Sequence, residues 1–282
     1  MSSRGIIKDL NGVLSLMFAP KLLLHPEEDY YPMDPIEFIS RSRFRLHIGW
    51  GRDYGYNKVL DEWIETDQRS PEYYDIPLDF INSYSLNSDN TNRRPRDPNR
   101  GRRHNVFLQT DGALIGERDP NNTVPVFMVK QNGDRGHIFY QYWFFFGYNP
   151  SIVIIDLSHQ GDWEDFTAVT KDGQLVGAVF AAHGRRTYYE RDLLEMEDEK
   201  VKVYCSKGTH ALYPKAGSFG KFGTDITKPG GYSWDTSQNV LTLSLQPWRD
   251  YAGAWGEVGE LPASTGPLGP WYKRIGDNFN NA

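Results

Sequence analysis

Apolar residues in the middle of the chain form short runs that are typical of β-strands. The most apolar run, residues 137–146, is apolar on both faces, which indicates a strand at the centre of a sheet. Further strands are predicted at residues 124–129, 162–170, 175–182, 201–205 and 240–245. The sequence Lys-Asp-Gly at 171–173 separates two of them and is typical of a hairpin turn. The pattern predicts an antiparallel β-sandwich with a few short helices and long loops.

Three segments depart from the strand pattern. Asp34 and Pro35 are typical of a helix start, because Asp caps the first turn and Pro fits within it, and the helix is predicted over residues 34–39. Residues 50–104 are polar, and we interpret them as an excursion from a single domain that spans residues 1–282. Residues 185–200 are highly charged and are predicted to form an exposed helix or loop.

Composition and charge narrow the class of protein. Aromatic residues make up 14% of the chain, which favours strands over helices. The net charge of −6 argues against a nucleic-acid partner, whose binding surface is usually basic. No apolar run approaches the roughly 18 residues of a membrane span. The arginine-rich stretch 93–103 is interpreted as a solvated loop, with peripheral contact to anionic lipid as the alternative.

Cysteine usage and the N-terminal sequence bear on the compartment. Cys205 is the only cysteine, so no intramolecular disulfide forms, and its position within a predicted strand suggests a small buried apolar residue. Residues 1–24 lack a clear signal-peptide pattern. We therefore expect a cytoplasmic protein, with secretion by a non-classical route as the alternative. The sequence does not define the oligomeric state.

The motif His-Gln-Gly-Asp-Trp-Glu at residues 159–164 carries the main candidate chemistry. Asp162 and Glu164 point to the same side of a strand, and Trp163 points to the other side, towards the core. His159 lies one tight turn earlier, and Asn149 is a candidate further ligand. Such a set suits a divalent cation, with mixed nitrogen and oxygen ligands favouring Zn or Mn and carboxylates favouring Mg or Ca. The alternative is an exposed strand end with ordinary surface charges.

Two other histidines end predicted strands. His183 precedes Gly184, and His210 precedes Ala211, so both lie where binding loops of a sandwich usually sit. We predict that they act as general acid and base if the protein is an enzyme. The alternative is that each is a polar residue with satisfied hydrogen bonds. Asp165 and the acidic segment 25–28 are predicted to lie at the surface.

Five ordered blocks resemble a known family. They are Pro-Lys through His-Pro-Glu-Glu at 20–28, Gln-Tyr-Trp-Phe-Phe-Phe at 141–146 with Asn149, the 159–164 motif, His-Gly at 183–184 with Thr-His-Ala-x-Tyr at 209–213, and Gly-x-Trp-Gly at 253–256 with residues 266–270. Together they resemble the vacuolar protein sorting-associated protein 62 family over most of the chain, with residues 50–104 least covered. Gln160 departs from the pattern, since Glu is expected there, and one acidic group is lost.

The central block is also similar to the signature of Nep-like necrosis-inducing cytolysins. Those proteins are β-sandwiches that hold a divalent cation and bind sphingolipid head groups. The resemblance implies that His159, Asp162 and Glu164 are cation ligands, with Asn149 nearest to the place of a further carboxylate. The chain lacks a clear secretion signal and disulfides, so toxic activity is not implied.

Three functions remain open at this point. The first is a module in which a cation and its polar rim bind a glycan or lipid head group. The second is a metal-dependent hydrolase or lyase that acts on a glycan or ester, with His183 and His210 as acid and base. The third is a non-catalytic factor for vacuolar protein sorting, in which the cluster is structural.

Overall fold

The computed structural model describes residues 16–47, 53–85, 106–150, 157–220, 223–259 and 264–273. A six-stranded sheet forms its centre, in the order β10–β9–β8–β7–β6–β17. All neighbours in it are antiparallel except β17 and β6, which run parallel. The strands are β6 (Val126–Asn132), β7 (His137–Asn149), β8 (His159–Lys171), β9 (Gln174–Ala182), β10 (Arg185–Glu190) and β17 (Val240–Thr242).

Two further sheets lie beside the central one. The five-stranded sheet has the order β11–β12–β1–β16, with β13 paired to β12, and the four-stranded sheet has the order β4–β3–β2–β5. The first comprises β1 (Lys21–Leu23), β11 (Met196–Glu197), β12 (Lys200–Cys205), β13 (Leu212–Tyr213) and β16 (Ser233–Asp235). The second comprises β2 (Ser42–His47), β3 (Asp53–Asn57), β4 (Glu62–Glu65) and β5 (Val106–Thr110). A hairpin of β14 (Gly217–Phe219) and β15 (Asp225–Thr227) stands apart.

The helices whose bounds lie within the described residues are short. They are α1 (Pro35–Ser40), α2 (Leu78–Asn82) and the single 3-10 turns Pro71–Tyr73, Asp134–Gly136, Arg191–Leu193, Thr236–Asn239 and Leu243–Leu245. The predicted helix start is confirmed, since Oδ1 of Asp34 accepts a hydrogen bond of 2.9 Å from the N–H of Ile36. Within the described residues, none of the helices has the length and apolar character that crossing a bilayer requires.

The central sheet is buried on both faces. Phe144 and Phe146 of β7 pack into one core with residues of the five-stranded sheet such as Val203. Phe145, which points the other way, packs into a second core with Phe44 of the four-stranded sheet. These layers confirm the prediction of a mainly antiparallel β-sandwich with few short helices.

Local features of the sheets agree with two predictions and contradict a third. The Asp-Gly hairpin between β8 and β9 is confirmed, because Asp172 and Gly173 both have the positive φ angles of a primed turn. Cys205 is buried, as expected. The expectation of a helix or loop over residues 185–200 is wrong in its first part, because 185–190 form strand β10. Threonine and two tyrosines at 187–189 favour a strand and outweigh the surrounding charge.

Part of the predicted excursion is ordered. Residues 53–85 contain β3, β4 and α2, and Tyr56 and Phe80 stack with ring centroids 4.0 Å apart. Residues 48–52 and 86–105, which include the arginine-rich stretch, lie outside the described residues. The prediction of one domain over residues 1–282 stays a prediction.

Candidate functional site

A group of polar residues lies where the ends of β7 and β8 meet the loops around β13 and the hairpin β14–β15. We call it the strand-end cluster. It consists of Glu28, Asn149, Asp162, Glu164, His183, Thr209, His210, Tyr213 and Asp225. Four of the predicted site residues, Asn149, Asp162, His183 and His210, therefore lie in one network of hydrogen bonds.

Asp162 is the buried centre of the cluster. It is 4% exposed, and its Oδ2 accepts hydrogen bonds from Nδ2 of Asn149 at 2.8 Å and from Nδ1 of His210 at 3.1 Å. Burial alone would raise the pKa of Asp162, but the hydrogen bond from His210 and the nearby charge of His159 bring it down to about 2. Asp162 is therefore ionised.

His210 lies between two carboxylates. Its ring is fully buried and stacks on Phe146 with centroids 3.9 Å apart and an interplanar angle of 4°. Nδ1 faces Asp162, and Nε2 lies 3.8 Å from Oε1 of Glu28. Burial disfavours the charged ring, but Asp162 and Glu28 raise the pKa of His210 to about 9. His210 is therefore an imidazolium that neutralises buried negative charge.

Glu28 belongs to the cluster, although the sequence did not indicate it. Its Oε1 accepts from the backbone N–H of Tyr30 and its Oε2 from that of Gly208, at 3.1 and 2.9 Å. The prediction that residues 25–28 form a solvated loop is wrong for His25 and Glu28, which are 2% and 4% exposed. The segment turns back on itself and directs both side chains inward, while Pro26 and Glu27 remain at the surface.

His183 is the exposed histidine of the cluster. Its side chain is 52% exposed, and its Nε2 lies 2.6 Å from Oδ2 of Asp225, whose side chain is fully buried. Asp225 also accepts hydrogen bonds from the hydroxyls of Thr209 and Tyr213. The hydrogen bond to Asp225 raises the pKa of His183. Burial works against ionisation of Asp225, but His183 and Tyr213 hold the pKa of Asp225 below its usual value.

Backbone strain marks both predicted acid–base residues. His183 and His210 have φ angles of 50° and 54°, a left-handed conformation that residues other than glycine rarely adopt. Such strain costs on the order of 1–3 kcal/mol per residue and is concentrated at functional sites. At His210 this backbone places the ring between Glu28 and Asp162. At His183 it belongs to the two-residue primed turn that His183 forms with Gly184 between β9 and β10, as Asp172 and Gly173 do between β8 and β9.

Glu164 differs from the other acids of the cluster. It lies on the same face of β8 as Asp162 and is partly exposed. Among the described residues, none forms a hydrogen bond or ion pair with its carboxylate. Burial, with the charges of Asp162 and Asp165, raises the pKa of Glu164 to about 8, and Lys273 opposes this increase. This side of the cluster is therefore short of positive charge.

The predicted cation ligands divide into two groups. His159 has its Nδ1 2.8 Å from the carbonyl oxygen of Gly161, and Asn149 directs its amide nitrogen at Asp162. In the described part of the chain, no three His, Cys, Asp or Glu residues converge closely enough to hold a metal ion. The pair Asp162 and Glu164 nevertheless fits a hard cation in its chemistry, because Glu164 lacks a partner there and Mg²⁺ often binds through one or two carboxylates.

Residues next to the motif have structural roles. Trp163 is buried in the second core, as predicted. The amide of Gln160 donates to the carbonyl of Thr110 at 2.9 Å and accepts from its N–H at 3.0 Å, which a glutamate could not do in both directions. The prediction that Asp165 lies at the surface is wrong. Asp165 is 3% exposed and pairs with both terminal nitrogens of Arg186, at 2.7 and 2.8 Å.

The members of the strand-end cluster that the sequence did not indicate as site residues are Glu28, Thr209, Tyr213 and Asp225. Asp225 lies in the short strand Asp225–Thr227 and alternates with the exposed Ile226, an inversion of the usual apolar-inside pattern. Strand alternation in the sequence would have placed Ile226 inside and Asp225 at the surface, so the sequence contains no signal for Asp225.

The chain was compared with known proteins. The family model described as vacuolar protein sorting-associated protein 62 matches residues 150–231. Vacuolar protein sorting-associated protein 62 of Saccharomyces cerevisiae (strain ATCC 204508 / S288c) is 23% identical over 317 residues, which cover 91% of this chain and 64% of the yeast protein. The chain therefore spans less than two thirds of the length of that relative.

Three solved structures are also similar, at TM-scores below 0.5. Necrosis and Ethylene inducing Protein 2 from the causal agent of cocoa's witches' broom disease is 12% identical, with a TM-score of 0.36 and coverage of 76% of this chain and 72% of that one. A protein described as a toxin fold for microbial attack and plant defence is 13% identical, with a TM-score of 0.42 and coverage of 86% and 80%. NLPPya in complex with mannosamine is 14% identical, with a TM-score of 0.39 and coverage of 85% and 78%.

The family match includes most of the strand-end cluster, with the motif at 159–164, His183, His210 and Asp225. The fold assignment rests on the sheet pairing and the two cores described above. The similarity of this chain to the vacuolar protein sorting-associated protein 62 family, predicted from its sequence, is thereby confirmed.

Proposed function

We propose that the strand-end cluster binds the head group of a glycan or lipid, with Asp162 and Glu164 holding a divalent cation. One observation carries the proposal. The carboxylate of Glu164 has no partner among the described residues, although it lies beside ionised Asp162 on a partly exposed strand face. A carboxylate in such surroundings is stabilised by an incoming positive charge.

Each group has a role in this proposal. A hard cation supplies open coordination positions that take hydroxyl or phosphate oxygens. The exposed imidazole of His183, fixed by Asp225, donates a hydrogen bond from its remaining ring nitrogen when protonated. The stacked rings of Tyr213 and Phe219, with centroids 4.1 Å apart, stand beside Asp225 and border the site with an apolar surface.

An enzyme is the second candidate. It is favoured by the dyad of His183 and Asp225, in which a buried carboxylate orients an exposed imidazole and raises its pKa. His183 would then act as general acid or base on a glycan or ester. His210 is fully buried between Glu28 and Asp162, so its role in this arrangement is to position Asp162.

A role in protein transport is the third candidate, and its support is the family similarity alone. In that case the cluster is structural and binds no head group. The binding experiment described next separates it from the first two candidates, because they require a ligand at the cluster.

The experiment measures binding to an immobilised glycan array and to vesicles that carry a glycosylated sphingolipid or a phosphoinositide. Wild type is compared with Glu164→Gln and His183→Gln, each with and without EDTA. Glu62→Gln and His137→Gln are the matched controls, since both residues lie outside the cluster. We expect Glu164→Gln and EDTA each to weaken binding about tenfold or more, which corresponds to the loss of a charged interaction.

The outcomes separate the candidates. Binding that is insensitive to EDTA and to Glu164→Gln contradicts the cation. Binding by no variant to any probe contradicts the head-group proposal. Release of product from a bound glycan or ester that is lost in His183→Gln identifies the protein as an enzyme.

A further inference from the structure

We propose that Lys273 is a built-in counter-cation of Asp162 and Glu164, and that its charge weakens the binding of an external cation to this pair. The inference rests on the proposed function in one respect, namely that the two carboxylates attract cations. It adds a residue that lies more than a hundred positions from the motif in the sequence.

The first argument is the position of the ammonium group. Nζ of Lys273 donates a hydrogen bond to the carbonyl oxygen of Trp163, the residue between Asp162 and Glu164. Pairing of β9 with β8 begins only at Phe166, so that strand leaves this edge of β8 uncovered. The lysine therefore reaches the backbone of the motif itself.

The second argument is that the lysine is held in place. Its backbone N–H donates to the carbonyl oxygen of Gly269 at 3.0 Å, and the hydroxyl of neighbouring Tyr272 donates to that of Asp250 at 2.9 Å. Gly269 itself lies against the indole of Trp255, where an added Cβ would come within 2.8 Å of Nε1. An anchored segment positions the ammonium more reliably than a long side chain on a free loop would.

The third argument is charge. The ammonium brings a positive charge to the carbonyl oxygen of Trp163, which lies between the two residues that carry the carboxylates. Within the described chain, no direct ion pair joins it to either carboxylate. The ammonium therefore neutralises the pair only in part and leaves the carboxylate oxygens of Glu164 open to a ligand. Such a charge reduces cation affinity without blocking the site.

The test is titration calorimetry with Mn²⁺ on wild type, Lys273→Met and Lys273→Arg, followed by the double variant Lys273→Met with Glu164→Gln. Lys171→Met is the matched control, since it removes an exposed lysine at the other end of β8, the strand that carries Asp162 and Glu164. Lys273→Gln is a second neutral variant, and circular dichroism confirms that each variant is folded. We expect the neutral variants to bind Mn²⁺ about tenfold more tightly than wild type, and Lys273→Arg to match wild type.

The double variant assigns the effect to Glu164, because the gain should disappear in it. Equal affinity of wild type and both neutral variants overturns the inference while leaving the cation proposal intact. A gain that persists without Glu164, or that also appears in Lys171→Met, overturns it as well. Absence of Mn²⁺ binding in every variant overturns the inference and the proposed cation together.

Discussion

The Nε2 atom of His183 lies 2.6 Å from Oδ2 of Asp225, so an imidazole that is half in solvent is fixed by a carboxylate that is wholly buried. The exposed partner is free to meet a ligand, while the buried partner sets its charge and orientation. The ion pair therefore links the end of β9 to the hairpin β14–β15. It also presents an exposed polar group of the site, the His183 ring, to solvent.

Asp225→Asn should lower the pKa of His183, because the amide removes the charge that favours the imidazolium. The folded pKa of His183 is raised above 6.5, so its stabilising effect is present below pH 6.5 and is lost as the pH rises through the folded value. The pKa of Asp225 is held below 3.8, so its effect is present above that pH and is lost on further acidification. The difference in stability between wild type and variant should thus be largest between about pH 4 and 6.5.

NMR titration of the His183 ring, together with urea unfolding at several pH values, measures both effects. Asp172→Asn, at the tip of the β8–β9 hairpin, is the control and should leave the His183 titration unchanged. A His183 pKa that is the same in Asp225→Asn and wild type would contradict the ion pair.

Asp162→Asn should cost about 3 kcal/mol of unfolding free energy, because it leaves the buried imidazolium of His210 with one carboxylate instead of two. Asp67→Asn is the control, since Asp67 also pairs with a buried cation, Arg45, but has a side chain that is 89% exposed. Its loss should stay below about 1 kcal/mol. Urea unfolding at pH 7 measures both, and equal losses would show that burial of the Asp162 pair contributes nothing special.

Gly161→Ala should destabilise the protein by more than about 2 kcal/mol, the sum of a strained backbone and a steric clash. Gly161 has a φ angle of 65°, and a Cβ there would lie 1.9 Å from the carbonyl oxygen of Trp255. Gly173 has a φ angle of 76° but open space around it, so Gly173→Ala should cost only about 1 kcal/mol. Thermal unfolding of the two variants checks the difference, which vanishes if the 253–256 segment packs elsewhere.

Arg186→Met should cost about 3 kcal/mol, because it leaves the buried carboxylate of Asp165 without its two charged hydrogen bonds. Arg186→Lys should recover only part of the loss, since lysine cannot form the paired contact. Arg185→Met, an exposed neighbour on the same strand, should be nearly neutral. The midpoints of urea unfolding measure these losses. If Arg186→Met is as stable as wild type, the hydrogen bond that Gln141 donates to Asp165 is sufficient to stabilise the buried carboxylate.

Much of the sheet was predictable from the sequence because strand alternation is a local signal. The run at 137–146, the hairpin at 171–173 and the inward face of Trp163 follow from residue type and spacing alone. The strand at 185–190 was missed because its two arginines suggested exposure to solvent, whereas Arg186 pairs with buried Asp165. Charge in a sequence does not show whether its partner is water or another part of the chain.

The site was predictable only in part, for the same reason. Sequence identified Asp162, His183 and His210 as chemically notable, and the structure places them in one network. Their partners Glu28 and Asp225 were not recognisable, since each is held by a contact with a segment far away in the sequence, Glu28 with Gly208 and Asp225 with His183. The cation set at His159, Asp162, Glu164 and Asn149 stays a prediction.

The pairing of β1 with both β12 and β16 has a consequence for biosynthesis. The partners of β1 leave the ribosome some 180 and 210 residues after β1 itself. His210, the partner of Glu28, is also synthesised some 180 residues after Glu28. Until these partners are synthesised, the nascent chain exposes an unpaired apolar strand and acidic side chains without a counter-charge. Chaperones bind exposed apolar surface of this kind. The strand-end cluster is complete only after synthesis has passed Asp225.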